Sequence, residues 1–253
     1  MREKILTGLV LFVAFTVLAW LDIYALNFVL FVVILAVAYS ESAKLFGVSD
    51  ESKYFVLIAI AFFVALPFIT LEAPFSAAVK LSFFMLIFVA SIQAYFKISN
   101  LKIILPFIYP VVPIFIMFSL YSDLGIAMFV WMILIVICSD SGAYFVGKAI
   151  GKIHFSPSSP NKTLEGVIGG FIFAVIISFL YAKIFTNADF KEIVYTTLVV
   201  SVFGVFGDLF ESYLKRLANV KDSGEILPGH GGILDRIDGY LFGAIAMLLV
   251  YAW

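Results

Sequence analysis

Long apolar runs recur along the whole chain and are separated by short polar segments. An α-helix needs about 20 predominantly apolar residues to cross the hydrocarbon core of a bilayer. The pattern predicts nine spans: Ile5–Trp20, Ile23–Tyr39, Tyr54–Thr70, Ala77–Phe96, Leu101–Leu120, Leu124–Phe145, Leu164–Phe185, Ile193–Leu209 and Ile237–Trp253. We therefore expect an all-α fold, an integral membrane bundle of about nine transmembrane helices.

The composition supports this class of protein. Hydrophobic residues make up 64% of the chain and charged residues 13%, and the mean hydropathy is +1.14. These values lie far from those of soluble domains. The single cysteine, Cys138, excludes an intramolecular disulfide bond. We expect no cleavable signal peptide, because the first apolar run leads into the second without a small-residue cleavage site.

The distribution of basic residues predicts the orientation. Lys and Arg are enriched in the cytoplasmic loops of membrane proteins. With the N-terminus in the cytoplasm, the outer side carries only Lys80, Lys183 and Lys191 of the 16 basic residues. Both charge-rich loops, after spans six and eight, then lie on the cytoplasmic face and could form one site.

Proline and glycine positions predict details of the helices. Pro110 is expected to kink span five, because a proline inside a helix removes a hydrogen bond. Gly166 with Gly170, and Gly239 with Gly243, have the four-residue spacing typical of closely packed membrane helices.

Carboxylates stand out at the inner ends of the last two spans. Asp208 lies near the end of span eight, where a charge costs about 2.5–3.5 kcal/mol on membrane-insertion scales. On a helix it shares one polar stripe with Glu211, Ser212 and Lys215. An interfacial aspartate that reaches water is the alternative interpretation of Asp208.

Asp235 and Asp238 are three residues apart, so a helix that begins near Gly232 presents both on one face. Converging carboxylates repel each other unless a cation lies among them, and hard oxygen ligands suit Mg²⁺. We therefore predict that Asp208, Asp235 and Asp238 bind a metal ion. Acids placed to favour the helix dipole are the alternative, which would explain Asp235 alone.

The loop before that helix has the composition of a phosphate-binding segment. Glycines around His230 allow successive backbone N–H groups to face an anion. The cationic residues suited to phosphate oxygens are Lys215, Arg216, Lys221 and Arg236. A solvated loop that binds lipid headgroups is the alternative, but it predicts bases without interleaved acids.

The loop after span six carries a second polar group. Asp140 ends an apolar run, and Ser159, Lys162, Thr163 and Glu165 precede or open span seven. The chain has no complete Walker A loop, no G-x-G-x-x-G and no H-E-x-x-H motif, so a nucleotide would be bound without a P-loop or a Rossmann unit.

Two motifs resemble those of the phosphatidate cytidylyltransferases, also called CDP-diacylglycerol synthases. The first is S-x-x-K-R-x-x-x-x-K-D…P-G-H-G-G-x-x-D-R-x-D, which runs from Ser212 to Asp238. The second is D-x-x-A-Y-F-x-G-K…S-P-x-K-T-x-E-G, which runs from Asp140 to Gly166. Together they lie in the C-terminal half of the chain, while the N-terminal spans match only in being apolar.

The resemblance implies transfer of the cytidylyl group from CTP to phosphatidic acid, which gives CDP-diacylglycerol and pyrophosphate. It also implies Mg²⁺ dependence, a second cation being left open, and a homodimer. The residues expected in catalysis are Lys215, Arg216, Lys221, Asp222, His230 and Arg236. Those expected to bind substrate are Asp140, Ser159, Lys162, Thr163, Glu165, Ser212, Gly231 and Gly232.

On this interpretation residues 1–139 are N-terminal transmembrane helices, and residues 140–253 form a catalytic membrane region with two cytoplasmic loops. We expect a multi-pass protein of the inner membrane, with its active site facing the cytoplasm. The partners are CTP, phosphatidic acid and membrane lipid, and no nucleic acid.

Two other functions remain open. A CTP-dependent polyprenol or dolichol kinase would break a different phosphate bond of CTP. A cation-coupled transporter would use Asp140 and Asp208 as ion sites, but it would place them near mid-membrane and without a phosphate-binding loop. A CDP-alcohol phosphotransferase is disfavoured because D-G-x-x-A-R is absent.

Overall fold

The computed structural model describes residues 2–69 and 73–252, with side chains from Thr7 onward. The ends of two predicted spans, Thr70 and Trp253, lie outside the described residues. The helices are α1 Arg2–Leu21, α2 Tyr24–Leu45, α3 Val56–Ala65, α4 Ser76–Tyr95, α5 Val112–Leu124, α6 Ile126–Ile150, α7 Leu164–Phe185, α8 Phe190–Leu217 and α9 Leu234–Tyr251.

The predicted class, a membrane helix bundle, is confirmed. In the described part of the chain, six helical segments are long and apolar enough to cross a bilayer. Two further apolar helices, Thr7–Leu21 and Val56–Phe68, are shorter. Helix α9 is not among the six, and its first two turns carry Asp235, Arg236 and Asp238. The count of nine spans therefore stays a prediction.

The predicted kink in span five is confirmed. The span begins with a 3₁₀ turn at Leu101–Ile104, continues through a π-helical turn at Phe107–Val111 and becomes α-helical only at Val112. Tyr109 has a non-helical backbone (φ −140°, ψ 114°) directly before Pro110. Proline clashes with a helical conformation of the residue before it, which explains the break.

A β-hairpin, which the sequence pattern does not predict, connects α6 and α7. Strand β1 (His154–Ser156) pairs antiparallel with β2 (Ser159–Thr163). Its Ser- and Pro-rich sequence lacks the alternation of apolar and polar residues that signals a strand. Thr163 ends β2 and caps α7, because its hydroxyl oxygen accepts a hydrogen bond from the Gly166 N–H at 3.2 Å. The hairpin thus places Lys162 and Thr163 at the N-terminus of α7.

The chain folds as two compact units. Unit one comprises Met1–Ser119 and Leu217–Ile237, and unit two comprises Leu120–Arg216 and Asp238–Trp253. In unit one the buried ring of Phe63 packs against Phe28, Phe115 and Phe118, with ring centroids 5.5, 5.3 and 5.1 Å away. These aromatic contacts join α2, α3 and α5.

Glycines allow the helices of unit two to approach closely. A Cβ atom at Gly142 of α6 would lie 2.9 Å from the Gly170 Cα of α7, so neither position has room for a side chain. A Cβ at Gly239 of α9 would lie 3.0 Å from Val136 of α6. The predicted role of the spaced glycines in helix packing is confirmed. Gly207 of α8 likewise leaves room for the backbone carbonyl of Asp238 on α9.

Candidate active site

Four of the predicted site residues line one cleft in unit two. Asp140 comes from the second half of α6, Lys162 and Thr163 from β2, and Asp208 from α8. The cleft has a volume of about 240 Å³ and is completed by Ala143, Tyr144, Asn161 and Val167. The cleft thus brings Asp140, Lys162 and Thr163 of the motif 140–166 together with Asp208, which lies four residues before the motif 212–238.

An ion pair joins the hairpin to α8. The ammonium group of Lys162 contacts the carboxylate of Asp208, and their side chains are 20% and 31% exposed. Asp140 lies within electrostatic range of both groups. Lys162 therefore compensates part of the repulsion between two carboxylates from different helices.

Asp238 extends this acidic group into α9. Its carboxylate interacts electrostatically with Asp208 and Asp140, and it lies within hydrogen-bonding distance of Glu211. Glu211 is fully buried, and its Oε2 accepts a hydrogen bond from Lys215 Nζ at 3.2 Å. Two carboxylates this close require a shared proton or a cation between them. We refer to Asp140, Asp208, Glu211 and Asp238 as the acidic cluster.

The charges of the acidic cluster suit a divalent cation. Four carboxylates and the two ammonium groups of Lys162 and Lys215 leave a formal charge of −2. Among the described residues, no three His, Cys, Asp or Glu side chains converge closely enough to ligate one ion. The oxygen donors and the net charge of the acidic cluster are of the kind that Mg²⁺ takes, but fewer than three of its carboxylates converge on one point.

Glu211 is the member of the acidic cluster that we did not assign a site role from sequence. The sequence does contain a sign of such a role, because Glu211 lies three residues after Asp208 on the polar stripe of α8. The stripe itself is confirmed by the Glu211–Lys215 contact, which joins residues four apart.

Asp235 belongs to a different network, in unit one. Its Oδ2 atom accepts hydrogen bonds from the backbone N–H groups of Ser223 and Gly232, both at 2.8 Å, and from the Ser223 hydroxyl at 2.9 Å. Asp235 therefore orders the loop before α9. The Gly232 N–H, which we expected to face a phosphate, donates to this carboxylate.

The same loop carries most of the remaining predicted residues. Lys221 and Asp222 are exposed, as is Arg216 at the end of α8. Arg236 is exposed and its Nε donates to the backbone oxygen of His230 at 3.0 Å. Three positions complete the set: half-buried Ser212 on α8, half-buried His230, and Gly231, whose φ of +80° favours glycine.

Glu165 and Ser159, which were predicted to bind substrate, make contacts with the backbone in and around the hairpin. Glu165 accepts hydrogen bonds from the N–H groups of Lys152 and Ile153 at 3.1 to 3.3 Å, which ties the start of α7 to the segment before β1. Ser159 pairs with Ser156 at the turn of the hairpin. Their predicted contacts with substrate stay predictions.

Comparison with known proteins gives matches along the whole chain. The sequence profile of the cytidylyltransferase family matches residues 2–253. A phosphatidate cytidylyltransferase of Helicobacter pylori is 37% identical over 254 residues, which cover 97% of this chain and 90% of the relative. The phosphatidate cytidylyltransferase of Thermotoga maritima is 44% identical over 139 residues, 52% of each chain. That of Bacillus subtilis is 47% identical over 120 residues, 47% of this chain and 45% of the relative.

Proposed function

The chain belongs to the cytidylyltransferase family, and on this premise we propose that it transfers the CMP group of CTP to phosphatidic acid. The products are CDP-diacylglycerol and pyrophosphate. The cleft that holds the Lys162–Asp208 ion pair carries this proposal, because it combines acids and a base where a helix begins. The relatives that match along nearly the whole chain bear the name of this activity.

The reaction needs charge stabilisation more than proton transfer. An oxygen of the phosphatidate phosphate attacks the α-phosphorus of CTP, and the bond from that phosphorus to the oxygen bridging the β-phosphate breaks. The nucleophile is already anionic and pyrophosphate leaves as an anion, so no strong general base is required. The cations that we assign to the neutralisation of phosphate oxygens are Lys162, Lys215, Arg216, Lys221 and Arg236.

The acidic cluster is the site that we propose for Mg²⁺. Asp208 and Asp238 would hold the ion, and the remaining negative charge of the cluster leaves a second cation open. Ligation by Asp235, which was predicted as a third ligand, stays a prediction, and its Oδ2 already accepts three hydrogen bonds from the loop before α9. Bound there, the ion would supply positive charge to the triphosphate and to the departing pyrophosphate.

We further propose a homodimer in the inner membrane of the cell, with the cleft on the cytoplasmic face. The proposed face follows from the distribution of Lys and Arg. A cytoplasmic cleft gives access to CTP from water and to phosphatidic acid from the adjacent leaflet.

This orientation predicts which sites react with a membrane-impermeant thiol reagent. In a variant with Cys138 replaced by alanine, a cysteine introduced at Ser158, in the hairpin turn, should react only from the cytoplasmic side. One introduced at Asn187, between α7 and α8, should react only from outside. Labelling of intact cells and of inverted vesicles provides the measurement. Reaction of both positions from one side would contradict the orientation.

Acceptor specificity tests the function. Purified protein with CTP and Mg²⁺ should form a CDP-lipid from phosphatidic acid and none from diacylglycerol, which lacks the anionic nucleophile. Omission of Mg²⁺ should abolish the product. Thin-layer chromatography of the extracted lipid provides the measurement, and a product from diacylglycerol would rule out the proposed transfer.

A further inference from the structure

A buried carboxylate from the N-terminal half of the chain lies against the loop before α9. Glu41, near the end of α2, is 2% exposed. A buried carboxylate is costly unless donors surround it. Its Oε1 accepts from the Ile233 N–H at 3.0 Å, and its Oε2 accepts from the Leu234 N–H at 2.8 Å. Both contacts lie within unit one.

These contacts cap the N-terminus of α9 with a side chain that is far away in sequence. Helix α9 begins at Leu234, and the first N–H groups of a helix have no acceptor within the helix itself. The acceptor here is a side chain that precedes Leu234 by 193 residues in sequence. A negative charge at this end is also favoured by the helix dipole. Glu41 therefore helps to define where α9 starts.

Glu41 and Asp235 hold the loop jointly. The hydroxyl of buried Ser223 lies 3.2 Å from Glu41 Oε2 and 2.9 Å from Asp235 Oδ2. Its single proton can be donated to only one of them at a time. A Cβ atom at Gly232 would lie 2.6 Å from Glu41 Cδ, so the last glycine of the P-G-H-G-G motif leaves room for this carboxylate.

We propose that Glu41 is a positioning residue, which fixes the loop 223–233 and the start of α9 for the transfer reaction. Asp238, which we assign to cation binding, lies one helical turn after Leu234 on the same helix. A shift in the start of α9 would displace Asp238 along or around the helix axis. The catalytic part of this inference rests on the proposed function.

Glu41→Gln tests the inference because it keeps the shape and loses one acceptor oxygen. Its amide NH₂ would face a backbone N–H or the Ser223 hydroxyl. We expect amides 233 and 234 to exchange with deuterium faster than in the wild type, and the exchange of α4 and α7 to stay unchanged. We expect kcat to fall about tenfold, as for the loss of one hydrogen bond to a charged group, with KM within about twofold. Exposed Glu51→Gln is the matched control and should change neither readout.

The exchange measurement uses no substrate, so it separates this inference from the proposed function. Unchanged exchange at 233 and 234 in Glu41→Gln would overturn the contact. Faster exchange with normal kcat would overturn the positioning role, and faster exchange in every helix would indicate a general structural role instead. If the wild type made no CDP-lipid, the proposed function would fail, while exchange would still decide whether Glu41 holds the loop.

Gly232→Ala changes the loop side of the same contact. It provides a second test if Glu41→Gln does not fold. Its methyl group would press on the Glu41 carboxylate, so we expect the same local rise in exchange and a similar fall in kcat. Because both changes break one contact, the double variant should be no slower than the slower single variant. Fully additive losses would contradict the shared contact.

Discussion

Replacement of Asp208 or Asp238 by asparagine is expected to lower kcat about a hundredfold or more, since the loss of a charged interaction in a transition state costs about 3 kcal/mol. Asparagine has nearly the same shape, so the packing of Gly207 against the Asp238 backbone should persist. The unfolding temperature in detergent should therefore change little. Steady-state transfer from CTP to phosphatidic acid measures the effect.

The two aspartates are expected to act as one group. The double variant Asp208→Asn/Asp238→Asn should then be little slower than either single variant, as is found for residues that work as a unit. Asp50→Asn, which changes an exposed aspartate, is the matched control and should keep normal turnover. Near-normal turnover of both single variants would remove the acidic cluster from the mechanism.

Replacement of Lys162 by methionine is the second change with a large expected effect. Lys162 pairs with Asp208 and lies within electrostatic range of Asp140, so its loss shifts the formal charge of the acidic cluster with its two lysines from −2 to −3. An anionic triphosphate would then meet greater repulsion. We expect kcat/KM for CTP to fall roughly 30- to 100-fold, which corresponds to about 2–3 kcal/mol for a partly buried charge.

Two further variants serve as controls for Lys162→Met. Lys162→Arg keeps the positive charge but changes its geometry, so it should recover part of the activity. Lys152→Met removes an exposed lysine ten residues earlier and should have little effect. If Lys162→Met and Lys152→Met behaved alike, Lys162 would have no special role in the cleft.

Three of the four members of the acidic cluster could be singled out from the sequence because they are conspicuous, although Asp235, which was expected beside Asp208 and Asp238, belongs to another network. Asp140, Asp208 and Asp238 interrupt apolar helices, where a carboxylate is costly and so draws attention. The polar stripe of α8 followed from helical periodicity alone. These signals are local, and each can be recognised within about two turns of sequence.

Other features could not be predicted because they depend on contacts far apart in the chain. Glu41 reaches Leu234 across 193 residues, and its only local sign is an acid near the end of an apolar helix. Gly232 was assigned to phosphate binding, whereas the structure uses its N–H for Asp235 and its missing side chain for Glu41. The hairpin is local, but its two short strands lack the alternation of apolar and polar residues, so the pattern gave no sign of it.

The position of the phosphorus that is attacked distinguishes nucleotidyl transfer from a CTP-dependent kinase. Purified protein would be incubated with phosphatidic acid, Mg²⁺ and CTP labelled at either the α- or the γ-phosphate, and the lipid would be extracted. We expect the α-label in the lipid and the γ-label in free pyrophosphate. A γ-label in the lipid, with the α-label left in CDP, would contradict the assignment of this chain as a phosphatidate cytidylyltransferase.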